Sequence, residues 1–182
     1  MKQAIRGFRE KLRSSDVGLF YYAGHGFQLK GRNHLLPIGA MISKTKRAES
    51  VAVDVGFVLT QMQGARSKIN ILILDACRDN PFTDRLRSED VGLASIDAPS
   101  DTLIAYATAP GKVALDGNTD NSVYTKELLA QIRKKDLTIE EVFKRVRIKV
   151  RDKTGGRQIP WESSSLTYEV YLNTEFILNG SQ

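Results

Sequence analysis

Three apolar runs constrain this chain more than any other feature. Val17 to Ala23 (VGLFYYA), Ile69 to Leu74 (INILIL) and Thr102 to Ala109 (TLIAYATA) are continuous, not alternating. A strand with one wet face alternates apolar and polar side chains. A strand covered on both faces is apolar throughout, which is the habit of parallel sheets. Helical patterns surround the runs. Met1, Ile5, Phe8 and Leu12 share one face before the first run, and Ser14, Ser15 and Asp16 end that helix. Asp54 can cap a helix with Val55, Val58, Leu59 and Met62 inward. Val123 to Arg133 reads as a helix with Leu128, Leu129 and Ile132 inward. Thr138 to Glu141 (TIEE) is a capping box. It opens a helix with Ile139, Val142, Phe143, Val146 and Val150 on one face, which Gly155-Gly156 ends. The expected fold is therefore α/β, a mostly parallel sheet with helices on both faces.

Smaller signals fill the gaps. Lys30-Gly31 marks a turn, and Asn33 to Ile38 is a short strand that Pro37 restricts to an edge or an end. Residues 41–50, 78–101 and 112–122 read as loops, and Ser165 to Leu172 as a last strand.

The 182 residues suit one domain with its own core. A single cysteine excludes a disulfide scaffold. The net charge of +6 invites a polyanion partner, so its location matters. Lys126 to Arg157 holds 11 Lys/Arg against 5 Asp/Glu, which accounts for the whole excess. Those basic residues alternate with Glu140, Glu141 and an apolar face, and no aromatic platform accompanies them. A solvated helix surface is expected, not a nucleic-acid site. No apolar run approaches the roughly 20 residues of a membrane helix. Met1 to Glu10 lacks the apolar stretch of a secretory signal. A cytoplasmic location without membrane partners is expected.

In open parallel sheets ligands bind beyond the carboxyl ends of the strands. Two chemistry-bearing residues fall there. Cys77, the sole cysteine, follows the second run and precedes a polar Arg78-Asp79-Asn80-Pro81 turn. A lone cysteine is more often a small buried hydrophobe than a nucleophile. A thiolate at a strand end also needs a base or a cation beside it. His25 supplies one. It follows the first run between Gly24 and Gly26, which let the backbone turn sharply and approach a substrate. The bland reading is a turn histidine. His34 has no such setting and reads as structural or surface.

Tyr22-Ala23-Gly24-His25-Gly26 and Asp75-Ala76-Cys77-Arg78-Asp79-Asn80-Pro81 resemble the two catalytic motifs of caspase-like and metacaspase-like cysteine peptidases of bacteria. The order, histidine before cysteine, and the spacing also match. Asn121 to Thr125 resembles the stretch before that family's next helix. The resemblance covers roughly residues 1–174. It implies a three-layer caspase-like fold and one catalytic domain over 1–182. It also implies a cysteine endopeptidase acting on peptides or proteins through a Cys-His dyad. Cys77 would be the nucleophile, His25 the acid and base, and the N–H groups of Gly26 and Cys77 the oxyanion donors. Metacaspases cleave after Arg or Lys using acidic residues in the S1 pocket. Asp75 matches one such position, and Asp116 is the nearest match to the other. Residues 84–101 would form a processing loop, with self-cleavage after Arg85 or Arg87. No cofactor or metal is expected, although some metacaspases use calcium. The competing reading is a caspase-like fold serving as a non-catalytic interaction module.

The resemblance also carries a deficit. The family opens with a strand, a helix and a second strand before the helix that begins here at Met1. An N-terminally incomplete sheet is therefore expected, with one edge of Val17 to Ala23 open, or closed by a second chain.

Overall fold

The computed structural model describes residues 1–40, 50–77, 92–112, 114–115 and 120–173, and the backbone only at Cys77. Four helices and six strands are defined among them. They are α1 (Lys2–Leu12), β1 (Val17–Leu29), β2 (Arg32–Leu35), β3 (Val53–Asp54), α2 (Val55–Gln63), β4 (Ile69–Cys77), β5 (Thr102–Tyr106), α3 (Val123–Ile132), α4 (Ile139–Lys153) and β6 (Trp161–Ser164). The sheet order is β3-β2-β1-β4-β5-β6. The central β1, β4 and β5 run parallel, and β2, β3 and β6 join antiparallel.

The apolar runs of β4 and β5 serve two cores, as continuous patterns should. Leu72, Leu74, Ile104 and Tyr106 pack on one face with Ile5 and Leu12 of α1 and Val55, Val58, Leu59 and Met62 of α2. Ile71, Ile73, Leu103 and Ala105 pack on the other with Tyr124 and Leu128 of α3 and Ile139, Val142, Phe143, Val146 and Val150 of α4. The three-layer α/β expectation holds. Both expected caps also form. Asp54 Oδ1 accepts from Gly56 N at 2.6 Å, and Thr138 and Glu141 cap each other reciprocally.

β1 departs from the expectation twice. It does not stop at Gly24-His25-Gly26 but runs on to Leu29. At Gly26 it changes partner, from the parallel ladder with β4 to an antiparallel hairpin with β2. The hairpin closes through Lys30 and Gly31, both at positive φ, which suits a two-residue turn. Nor is the run buried on both faces, since Val17, Leu19 and Tyr21 are 41–43% exposed. The cores on that face are built on β4 and β5, and α3 reaches β1 by the hydrogen bond between the Tyr21 and Thr125 hydroxyls. Among the described residues no strand pairs with the outer edge of Val17 to Ala23.

Two further expectations need correction. The last strand is Trp161–Ser164, paired antiparallel with β5, and not Ser165 to Leu172. The later segment serves α4 instead: Val170 O accepts from Ile139 N at 2.7 Å, and Tyr171 bridges to Thr138. Leu129 is exposed, because α3 turns Tyr124, Leu128 and Gln131 inward. The expected loop residues 41–49 and 78–91, including Arg85 and Arg87, lie outside the described residues. The described part of the 84–101 segment is irregular, and Asn33 holds it by exchanging two hydrogen bonds with Ala94. No described helix is long and apolar enough to cross a membrane.

Candidate active site

The parallel ladder between β1 and β4 ends in one place. Its last register pairs are Ala23 with Asp75, Gly24 with Ala76, and His25 with Cys77. Residues 52 apart in sequence thus become neighbours on adjacent strands, whose spacing is about 4.8 Å. This is the carboxyl end of the parallel strands, where ligands bind in such folds. His25 and Cys77 are the final residues of the ladder rather than residues past the strands. His25 is exposed there.

The glycines flanking His25 have separate reasons. Gly24 has φ 153°, and a Cβ on it would lie 2.8 Å from the Tyr22 hydroxyl. That hydroxyl folds back over the turn. It accepts from Leu36 N at 3.2 Å, with the carbonyls of His25 at 2.7 Å and Leu36 at 2.8 Å as acceptors for its own proton. Burial pushes the Tyr22 phenol up to about 12. Gly26 is close-packed instead, since a Cβ there would stand 3.1 Å from Ala76 Cβ. Antiparallel ladders bond alternate pairs. Leu36 N donates to His25 O, so the Gly26 N–H faces away from β2.

Asp75 is 97% buried by its 3% residual exposure, and a polar network surrounds it. The Ser122 hydroxyl donates to its Oδ2. Thr125 Oγ1 donates to the same oxygen at 2.5 Å. Because Thr125 spends its proton there, its oxygen accepts from the Tyr21 hydroxyl, also at 2.5 Å. Ser122 is the N-cap of α3 and accepts from Thr125 N at 2.9 Å. The carboxylate therefore sits at a helix N-terminus, where the dipole favours negative charge. Its charge is felt nearby. The Tyr21 phenol is raised first by burial and then by Asp75, against a lowering by the Thr125 hydrogen bond. Tyr124, fully buried, is raised by burial and then by Asp75.

A cleft of about 290 Å³ opens between these elements, walled by His25, Asp75, Asp120, Ser122 and Thr125 among others. None of the described residues lining it is Lys or Arg. A wider depression of about 600 Å³ adjoins it on the Leu36 to Ala40 side, and His25 lines both.

The structure brings His25, Gly26, Asp75 and Cys77 to one strand end. Asp116 lies outside the described residues. Asp120 lines the cleft and was not singled out from sequence, although its position two residues before the Ser122 cap could have placed it at the mouth of α3. Tyr22, inside the histidine motif, also escaped notice as a side chain. His34 stacks on Phe27 with ring centroids 5.2 Å apart, a packing position. Among the described residues no group of three or more His, Cys, Asp or Glu is placed to hold a metal ion.

The sequence is similar to those of known proteins. The Caspase domain family model matches residues 1–171. The mucosa-associated lymphoid tissue lymphoma translocation protein 1 of Homo sapiens is 28% identical over 149 residues, 78% of this chain and 17% of that protein. Its Mus musculus homolog matches equally. Caspase-3 of Felis catus is 29% identical over 122 residues, 58% of this chain and 44% of that protein. The chain thus spans less than half the length of these relatives. The family model covers nearly all of it, and the chain belongs to the caspase family of cysteine peptidases.

Proposed function

We propose that this chain is an endopeptidase that cuts after Arg or Lys, with Cys77 as nucleophile and His25 as acid and base. The observation that carries the reading is the terminal register pair His25 with Cys77, beside a cleft containing buried Asp75.

The reaction follows a two-step course. The Cys77 thiolate adds to the scissile carbonyl carbon. The N–H groups of Gly26 and Cys77 stabilise the oxyanion, an effect worth roughly 10²–10³ in rate per donor. His25 gives a proton to the leaving amine as the C–N bond breaks, leaving a thioester on Cys77. His25 then takes a proton from water as its oxygen attacks the thioester carbonyl. The C–S bond breaks and the acid product leaves.

Charge supports the specificity. Asp75 and Asp120 line the cleft, with no lysine or arginine among its described lining residues. Such a pocket attracts a cationic side chain and repels an acidic one. Asp116, directly after Leu115 in sequence, is a further candidate for the same pocket. Calcium dependence and self-cleavage after Arg85 or Arg87 stay within this proposal as properties to assay.

The test is covalent labelling by an acyloxymethyl ketone with Arg at P1. A mass shift on Cys77, lost in Cys77→Ala and in His25→Ala, is expected. Labelling equal in the His25 variant, or by an Asp probe alone, would overturn the reading.

One observation favours an added role in assembly. Among the described residues no strand pairs with the outer edge of Val17 to Ala23, beside exposed Val17, Leu19 and Tyr21. Such an edge pairs readily with another strand, so a second chain completing the sheet is part of the proposal.

A further inference from the structure

Gln158 is a polar side chain with no solvent exposure at all. It follows the turn at Gly155 and Gly156, both at positive φ, which returns the chain toward the sheet after α4. Both ends of its amide are used. Nε2 donates to Ala107 O at 2.7 Å, and Oε1 accepts from Leu115 N at 2.9 Å. Its own backbone is anchored, since its N–H donates to the hydroxyl of buried Thr154 at 3.1 Å. Ala107 is tied in turn to β4, where its N–H donates to Leu74 O at 3.0 Å. Leu74 lies three residues before Cys77.

Burying an amide is unfavourable unless each polar atom finds a partner. Here the partners are the two ends of one loop. Gln158 closes the segment from Ala107 to Leu115 across its base. The chain then leads on to Asp120, Asn121 and Ser122, which line the cleft. An apolar residue of the same volume would fill the site without closing the loop.

We propose that Gln158 is a positioning residue for substrate binding, a clamp on the segment that leads in sequence to the cleft-lining residues Asp120 to Ser122. This rests on the reading that the cleft receives the P1 side chain. Gln158 touches no reacting atom, so its loss acts on binding more than on bond breaking.

The experiment compares Gln158→Met, which keeps the volume and removes both hydrogen bonds, with Gln158→Glu. The buried neutral carboxyl of the latter still offers one donor and one acceptor. On a P1-Arg peptide, Gln158→Met should raise KM about ten-fold with kcat per titrated active site nearly unchanged. At acidic pH the Glu variant should match the wild type, and its KM should climb toward the Met value as the carboxyl ionises. Hydrogen exchange of the intact chain gives a readout that needs no activity. Peptides spanning 108–122 should exchange faster in Gln158→Met while those of β5 and α4 keep their protection. Unchanged exchange there would overturn the clamp. Faster exchange with unchanged KM would overturn its role in binding. A wild type that ignores P1-Arg peptides would instead remove the specificity reading, leaving exchange to judge the clamp.

Discussion

Thr125 and Asp75 lie 50 residues apart in the chain, yet the Thr125 hydroxyl donates to the Asp75 carboxylate at 2.5 Å. The bond joins the N-terminus of α3 to the strand that ends in Cys77. It fixes the orientation of the carboxylate that the account assigns to the P1 cation. Thr125→Val keeps the shape and removes the donor. Hydrogen bonds to charged groups contribute about 1.5–3 kcal/mol, so urea melts should show a loss of that order. KM for a P1-Arg peptide should rise more than kcat falls, and Thr125→Ser should recover most of both. A Val variant with wild-type stability and KM would show that the bond orients nothing.

Asp75→Asn separates charge from shape more directly. The amide keeps the volume but not the negative charge that a guanidinium would seek. A peptide library varied at P1 should lose its preference for Arg and Lys, with total cleavage falling about ten-fold or more. Retention of the full basic preference would assign the specificity elsewhere.

Gly24 and Tyr22 should behave as a coupled pair. Gly24→Ala sets a Cβ against the Tyr22 hydroxyl and keeps a φ that side chains avoid. The single variant should lose roughly 1–3 kcal/mol. Tyr22→Phe removes the obstructing oxygen together with its bonds to Leu36 and His25. In the double variant the losses should add to less than their sum, a non-additivity visible in chemical melts.

Alkaline stability follows from the buried phenols. Tyr22 and Tyr106 are pushed up to about 12 by burial, against 10 for a free phenol. Between pH 10 and 12 the unfolded chain releases these protons and the folded one keeps them. The folded state therefore binds more protons in that window, and stability falls as pH rises through it. It is fully present below pH 10. Tyr106→Phe should flatten the fall in Tm between pH 10 and 12, and an equally steep curve in that variant would contradict the assignment.

Much of the architecture was legible because its signals are local. The doubly apolar runs of β4 and β5, the Asp54 cap and the Thr138 capping box each state their role within a few residues. β1 was misread at both its face and its end. Its pattern is that of a fully covered strand, but coverage depends on where α3 and α4 settle. The glycines that suggest a stop permit a change of partner. The strand Trp161–Ser164 escaped because four residues carry little periodicity. In the candidate site, His25 and Cys77 were singled out by motif and spacing, whereas Tyr22 and Gln158 bond to groups 14 or more residues away and Asp120 meets the cleft only through the fold. No sequence pattern announces a buried glutamine that closes a distant loop.

The central claim is that the His25 and Cys77 pair forms a peptidase centre facing an acidic cleft. The most direct measurement is kcat/KM on two fluorogenic peptides identical except for Arg or Asp at P1, with the wild type, Cys77→Ala and His25→Ala. The account predicts cleavage of the Arg peptide alone, lost in the Cys77 variant and reduced at least about a hundred-fold in the His25 variant. Preferred cleavage of the Asp peptide, or cleavage that survives in Cys77→Ala, would contradict it.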